Sequence, residues 1–137
     1  MAQDCEREVI ELHRFFERWF SGELPDTDEA FARFESVMGS DFEIISPSGK
    51  RMDRSELIDS LRGAHGRWSR DRIRGRIWIE DVNVRYIEGQ NALVLYEEWQ
   101  EIDGQTRGRL SSAVFSLADG APNGVVWRHL HEVWLPE

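Results

Sequence analysis

Two histidines and a glutamate are the residues of this sequence whose types and spacing could do chemistry. His129 and His131 lie two positions apart in the C-terminal segment V-V-W-R-H-L-H-E-V-W-L-P-E. Alternate side chains of a strand share a face. The spacing therefore predicts that Trp127, His129 and His131 share one face of a strand and that Arg128 and Glu132 share the other, so the first face either lines a polar-floored pocket or carries a hydrogen-bond network.

If Glu97, on another predicted strand, lies beside these histidines, the three residues form one polar group. A histidine titrates near neutral pH, and a carboxylate beside it holds the imidazole in place, so the group would suit acid/base catalysis. Ligand contact without chemistry, or a buried hydrogen-bond network, is compatible with the same three residues. Two histidines on one strand with Glu97 could also hold a metal ion, but neither H-x-x-x-H nor paired cysteines support this, and no metal or cofactor is predicted.

Composition restricts the class of protein. The 137 residues carry a net charge of −9, which argues against nucleic-acid binding because phosphate contacts need clustered lysine and arginine. The single cysteine, Cys5, allows no internal disulfide. No leader segment and no apolar run of membrane-spanning length is recognised. These features predict one domain over residues 1–137 that is cytoplasmic and has no membrane partner.

The hydrophobic pattern changes from helical to alternating along the chain. Apolar residues at helical spacing predict a helix over 5–21, and two capping boxes, at 26–29 and 53–56, predict the starts of two more. A short strand, 42–45, lies between them. Period-two alternation then predicts four strands joined by hairpins: 73–86, 92–102, 107–117 and 125–134. Helices followed by an antiparallel meander indicate an α+β fold.

Three segments resemble the NTF2-like superfamily, in particular its SnoaL-like and DUF4440-type domains. They are the short strand and turn at 42–49, the strand at 93–99, and the W-R-H-L-H sequence of residues 127–131. The resemblance covers nearly the whole chain. It implies a cone in which three N-terminal helices pack on a strongly curved, mainly antiparallel sheet and close a pocket.

The resemblance also implies which side chains line that pocket. From the sheet these are Leu93, Leu95, Glu97, Trp99, Arg109, Ser111, Ala113, Phe115, Trp127, His129 and His131, with Phe16 and Trp19 from the first helix. Six of them are predicted to contact a ligand: Phe16, Trp19, Trp99, Arg109, Ser111 and Trp127. The register across Asp103-Gly104 decides whether Ser111 faces the pocket. Arg109 could bind a substrate carboxylate or pair with a glutamate across the hairpin.

The fold includes ketosteroid isomerases, whose base and oxyanion positions correspond here to Ser46 and Ala113. This departure argues against ketosteroid-type isomerisation. The leading prediction is a bacterial-type protein that binds a small hydrophobic or amphipathic molecule. One alternative is a cofactor-free lyase or isomerase with a pocket His–Glu pair, because a dehydratase of this fold uses pocket histidines. His13 and His65 are assigned structural roles.

The second alternative is a homodimeric interaction module without catalysis. The sheet face that the helices leave uncovered is predicted to be apolar, and an exposed apolar face usually marks an interface. The residues assigned to that face are Val94, Tyr96, Leu110, Val114, Leu130 and Trp134. A two-fold, sheet-to-sheet dimer is expected.

Overall fold

The computed structural model describes all residues from 1 to 137. Four helices and six strands follow one another along the chain. Their bounds are α1 Ala2–Phe20, α2 Asp28–Glu35, β1 Met38–Ile45, β2 Arg51–Asp53, α3 Arg54–Arg62, α4 Arg67–Arg70, β3 Gly75–Glu88, β4 Asn91–Ile102, β5 Gln105–Leu117 and β6 Val125–Trp134. The three predicted helices and the five predicted strands are present, while β2 and the single turn of α4 are additional.

Side-chain caps fix where two of the helices begin. The Thr27 hydroxyl accepts a hydrogen bond from the Ala30 amide at 3.2 Å and starts α2. Asp53 accepts from the Glu56 amide at 2.9 Å, while the Glu56 carboxylate accepts from the Asp53 amide at 3.2 Å. This reciprocal pair satisfies two donors that the first turn of α3 would otherwise leave free.

The six strands form one sheet in the order β2-β1-β6-β5-β4-β3. All neighbours are antiparallel except β1 and β6, which run parallel. In the β4–β5 hairpin Tyr96 pairs with Ser111 and Glu98 with Arg109. The helices pack on one face, called here the covered face, and the opposite face is called the open face. This arrangement confirms the predicted α+β fold class, with helices on a mainly antiparallel sheet.

The core lies between the covered face and the helices. Trp19, Phe31 and Phe34 come from α1 and α2, and Phe115 and Trp127 come from the sheet, each no more than 1% exposed. No helix of this chain has both the length and the apolar character that a membrane span requires.

The predicted facing of β4 is wrong. Ala92, Val94, Tyr96 and Glu98 are buried on the covered face, so the set that includes Glu97 lies on the open face. Both sets begin with apolar residues, so alternation identifies the strand without telling which set is covered.

The predicted facing of β6 is right at Trp127 and wrong beyond it. Phe115 pairs with Trp127, but the next residue back along β5, Val114, pairs with His129. Arg128 is therefore the extra residue of a β-bulge, which shifts the alternation by one position. After the bulge Leu130 and Glu132 lie on the covered face, while His129 and His131 lie on the open face.

Candidate functional site

A cavity of about 570 Å³ lies between the covered face and the helices. Fifteen of its 22 lining residues are hydrophobic. Its aromatic walls come from Phe16, Phe20, Phe34, Phe42, Trp68 and Trp127. A concave, mainly apolar space with a few polar groups is the usual form of a small-molecule site.

Four charged or titratable side chains meet in the buried part of this cavity and are called here the charged floor: His13, Glu98, Arg109 and Glu132. His13 comes from α1, and the other three come from the adjacent strands β4, β5 and β6. Glu98 and Glu132 are each 4% exposed and His13 is 3% exposed. Buried charges are rare unless they are paired, so this group is the most unusual chemical feature of the cavity.

Glu98 is the best-bonded member of the charged floor. Its Oε1 lies 2.9 Å from His13 Nε2, and Arg109 donates a hydrogen bond to its Oε2. Burial raises the pKa of the Glu98 carboxyl, but the hydrogen bond from His13 and the charges of His13 and Arg109 outweigh burial and lower this pKa to about 2. Glu98 is therefore ionised at neutral pH.

Both ring nitrogens of His13 have hydrogen-bond partners. Nδ1 lies 2.8 Å from the Val9 carbonyl oxygen, and Nε2 faces the Glu98 carboxylate. These two contacts fix the orientation of the imidazole beside Glu98.

Glu132 is held much more loosely than Glu98. It makes no hydrogen bond, and its one ion-pair contact is 3.4 Å to Arg109 Nη1. Burial raises the pKa of Glu132 to about 7, because Arg109 offsets only part of the cost of burial and the negative charge of Glu98 adds to it. Near neutral pH this carboxyl can therefore either donate or accept a proton at the cavity surface.

Two hydroxyl groups lie in the same part of the covered face. Tyr96 and Ser111 are cross-strand partners and are fully buried, and neither hydroxyl has a hydrogen-bond partner. Burial and the charges of Glu132 and Glu98 raise the pKa of Tyr96 well above its usual value, so the phenol stays protonated. Arg109 Nε is also buried without a partner.

A third buried carboxyl group, that of Glu8, lies behind the cavity wall and supports it. It accepts two hydrogen bonds from Arg33, at 2.8 and 3.2 Å, one from Asn123 at 3.0 Å and one from Trp127 Nε1 at 3.0 Å. All its ligands are protein groups, and it does not line the cavity. Glu8 therefore positions the Trp127 ring and is a structural carboxylate, in contrast to Glu132.

The structure divides the six predicted ligand contacts into two groups. Phe16, Arg109 and Trp127 line the cavity. Trp19 lies behind the wall, where its Nε1 donates to the Leu61 carbonyl at 2.7 Å, and Ser111 is on the covered face but outside the lining. Trp99 is on the open face. Whether any of them contacts a ligand stays a prediction.

The three predicted catalytic residues do not meet at the cavity. His129 pairs with Glu43 and Val114, and its neighbour His131 with Ile45 and Ser112, on the open face. The Glu97 carboxylate accepts from Trp99 Nε1 at 2.9 Å on that same face. Their predicted location at the pocket floor is therefore wrong.

Sequence reasoning missed the floor residues that replace them. Glu98 and Glu132 are the immediate neighbours of Glu97 and His131, so a shift by one residue on each strand finds them. His13 was assigned a structural role, although its position between Leu12 and Phe16 on the apolar side of α1 was the available signal. The four floor residues, His13, Glu98, Arg109 and Glu132, come from one helix and three strands, and no sequence motif links them.

Comparison with known structures identifies the fold. The chain resembles an NTF-2-like protein of unknown function from Pseudomonas aeruginosa, with a TM-score of 0.82, 23% identity and coverage of 97% of this chain and 99% of that one. It also resembles ActVI-ORFA from Streptomyces coelicolor, with a TM-score of 0.63, 12% identity and coverage of 96% and 98%. The chain has the NTF2-like fold. The narrower SnoaL-like and DUF4440-type assignment stays a prediction.

Comparison of sequences gives the family. Sucrose-phosphatase 1 of Nicotiana tabacum is 29% identical over 134 residues, and probable sucrose-phosphatase 3a of Arabidopsis thaliana is 25% identical over 130. The matches cover 93% and 95% of this chain but only 30% of either relative. Residues 5–136 match the family described as sucrose-6-phosphate phosphohydrolase C-terminal, and the chain belongs to that family.

Proposed function

We propose that this member of the family binds a small amphipathic molecule in the cavity, with its apolar body against the aromatic walls and a hydroxyl or carbonyl oxygen at the charged floor. The observation that carries the proposal is the carboxyl of Glu132, which is buried, faces the cavity and has no hydrogen bond. Buried polar groups of folded proteins are nearly always hydrogen-bonded, so a ligand oxygen is the partner that this site lacks.

The lining supports a largely apolar ligand. Seven of its 22 residues are polar or charged, and five of those lie on the three central strands or on α1. A ligand with hydroxyl groups on every side would leave many of them against leucine and phenylalanine, which is unfavourable. An apolar body with polar groups only at its ends fits the distribution better.

Calorimetry with decan-1-ol tests the proposal, because this probe has an apolar chain and a single hydroxyl. Leu57→Trp should abolish binding by filling the cavity from α3, since Leu57 lines it. Ser60→Trp is the matched control, because Ser60 is exposed on the same helix and does not line the cavity. Absence of decan-1-ol binding to the wild type, or equal binding to both variants, would contradict the proposal.

Family membership favours a second ligand class, a sugar. The relatives are named sucrose-phosphatases, and this chain corresponds to 30% of their length. Sucrose and sucrose 6-phosphate therefore belong in the same calorimetric series. If either sugar binds with a micromolar Kd that Leu57→Trp abolishes, and decan-1-ol does not bind, the ligand of the cavity is a carbohydrate and not an amphipathic molecule.

Glu132 also favours a second candidate function, a cofactor-free lyase or isomerase. Two carboxyl groups with a shared arginine and widely separated pKa values are a common arrangement for acid/base catalysis. Here the Glu98 carboxyl stays ionised at neutral pH, and the Glu132 carboxyl, with a pKa of about 7, can exchange a proton. If a turnover is found, Glu132→Gln should remove it while Glu97→Gln leaves it unchanged; loss of activity in Glu97→Gln alone would contradict this assignment.

A further inference from the structure

The opening of the cavity differs in charge from its interior. Among the lining residues only Arg67 and Asp71 are exposed. They lie on α4 and immediately after it, at the end of the cavity away from the charged floor. A ligand that enters the cavity therefore passes these two side chains and leaves its outer end beside them.

Arg67 is free to bind a ligand. Its guanidinium lies 4.3 Å from the centre of the Phe20 ring, which also lines the cavity, and it forms no ion pair. Asp71 has no ion-pair partner either, so the two side chains do not neutralise each other. By contrast, Arg51, Arg62 and Arg128 are each paired with a carboxylate.

The residues around Arg67 add to the positive charge at the opening of the cavity. Residues 67–74 contain four arginines, Arg67, Arg70, Arg72 and Arg74, and one acid, Asp71. The chain as a whole carries −9. A positive segment on a strongly acidic protein gives the opening a local potential that attracts anions, in opposition to the field of the rest of the surface.

The length of the cavity sets the distance between the charged floor and the charged opening. Along β4 the lining runs from Glu98 through Gln100 to Ile102. Four residues of extended strand span about 13 Å. Between the floor and the opening the lining is mainly aliphatic and aromatic, so only the two ends of a bound molecule meet charged side chains.

We propose that the ligand of this cavity is an amphipathic anion, whose carboxylate or phosphate group binds Arg67 at the opening while its apolar body runs along the aromatic walls toward the hydroxyl or carbonyl oxygen at the charged floor. This inference rests on the proposed function, because it needs an occupied cavity. It adds the charge and the orientation of the ligand.

Three probes with the same chain and different head groups test the proposal: decanoate and decyltrimethylammonium, each below its micellar concentration, and decan-1-ol below its solubility limit. Isothermal calorimetry should give the tightest Kd for decanoate and the weakest for the ammonium. A single exposed charge contact changes the Kd by roughly fivefold. The advantage of decanoate should shrink as salt is raised, since the contact is exposed to solvent.

Variants of Arg67 test whether this residue causes the preference for decanoate. Arg67→Gln should bring the Kd of decanoate to that of decan-1-ol, and Arg67→Lys should keep most of the preference because it retains the charge. Arg76→Gln is the matched control: it makes the same change in net charge, but its guanidinium lies 5.1 Å from the centre of the Trp78 ring, away from the cavity lining. It should leave the preference unchanged.

The outcomes separate this inference from the proposed function. If none of the three probes binds, the amphipathic-ligand proposal fails, and this inference fails with it. If decan-1-ol binds as tightly as decanoate, or the ammonium binds tighter, the cavity proposal stands and the anion is ruled out. An equal loss of preference in Arg67→Gln and Arg76→Gln would also overturn the inference, because it would reflect net charge alone. An addition of hexyl phosphate to the series distinguishes a phosphate from a carboxylate head group.

Discussion

The two faces of the sheet use the same types of residue in different ways. On the covered face Glu98, Glu132 and Arg109 are buried together and depend on one another for neutralisation. On the open face Glu97 and Glu80 each accept a hydrogen bond from an indole of the same strand, at 2.9 and 3.0 Å, while they keep access to water. The difference shows that the shifted pKa values of Glu98 and Glu132 come from burial and charged neighbours rather than from residue type.

Glu98 and Glu97 form the sharpest test of this difference, because they are neighbours on one strand. Glu98→Gln should lower the free energy of unfolding by about 3 kcal/mol, since it leaves the charges of Arg109 and His13 buried without their anion. Glu97→Gln should change it by less than about 0.5 kcal/mol, because its amide oxygen can still accept from Trp99. Urea denaturation of both variants measures the values. Similar losses in the two would mean that the faces are not distinct.

The pH dependence of stability tests the state of Glu132. Its pKa is about 7 in the folded protein, against an ordinary value of 4.5. A raised carboxyl pKa means that the folded state binds the proton more tightly, so stability should fall as the pH rises from 4.5 to 7, by about 3 kcal/mol from this group. Glu132→Gln should remove that fall and be more stable than the wild type at pH 8.

Denaturation curves at pH 5 and pH 8 are sufficient for this test. His131→Gln, which changes the neighbouring side chain on the open face, is the control and should follow the wild type at both values. A wild-type protein that gains stability between pH 5 and pH 8 while Glu132→Gln does not would show that the pKa of Glu132 is not raised.

Substitutions of two glycines that pack against tryptophan rings, one on each face of the sheet, test the difference between the faces. A Cβ on Gly75 would lie 2.7 Å from the Trp68 ring, which lines the cavity, and one on Gly108 would lie 2.8 Å from the Trp99 ring on the open face. Each substitution by alanine must displace an indole and should cost about 1–2 kcal/mol. Only Gly75→Ala should also change the Kd of decan-1-ol in calorimetry. An equal change in the Kd for Gly108→Ala would contradict the separation of the faces.

The order of the elements could be predicted from the sequence, because it depends on local signals. The capping box of Asp53 and Glu56 and the hairpin at Asp103-Gly104 act within a few residues and were recognised. The fold class followed from helices preceding an antiparallel meander. The strand β2 was missed because its three residues are too short to show a period.

The site could not be predicted, because it depends on the phase of two strands. On β4 apolar residues occupy both parities, with Leu93 and Leu95 on one side and Val94 and Tyr96 on the other, so burial was decided by packing against α1. On β6 the bulge at Arg128 reverses the alternation, and no glycine or proline in that segment marks it. Because of these errors, Glu97, His129 and His131 were assigned to the pocket face, although their neighbours Glu98, Leu130 and Glu132 occupy it.

The smallest expected effect concerns His129 and His131. Neither makes a side-chain hydrogen bond, and both lie on the open face, so the double variant His129→Ala, His131→Ala should shift the free energy of unfolding of the isolated chain by less than about 0.5 kcal/mol. The sequence predicted a homodimer through this face. Of the six residues assigned to it, Leu110 and Val114 lie on the open face, whereas Val94, Tyr96, Leu130 and Trp134 lie on the covered face. The dimer itself stays a prediction.

The same double variant tests that dimer, because burial in an interface would give the histidines a role that they lack in one chain. Association makes the melting temperature depend on protein concentration. If two copies pack through their open faces, the wild type should melt higher at 200 µM than at 2 µM, and the variant should lose part of that increase. Light scattering should then give twice the mass of one chain. A monomeric mass, with melting temperatures equal at both concentrations, would leave the open face as a solvated surface and the cavity as the one site where buried charge needs a partner.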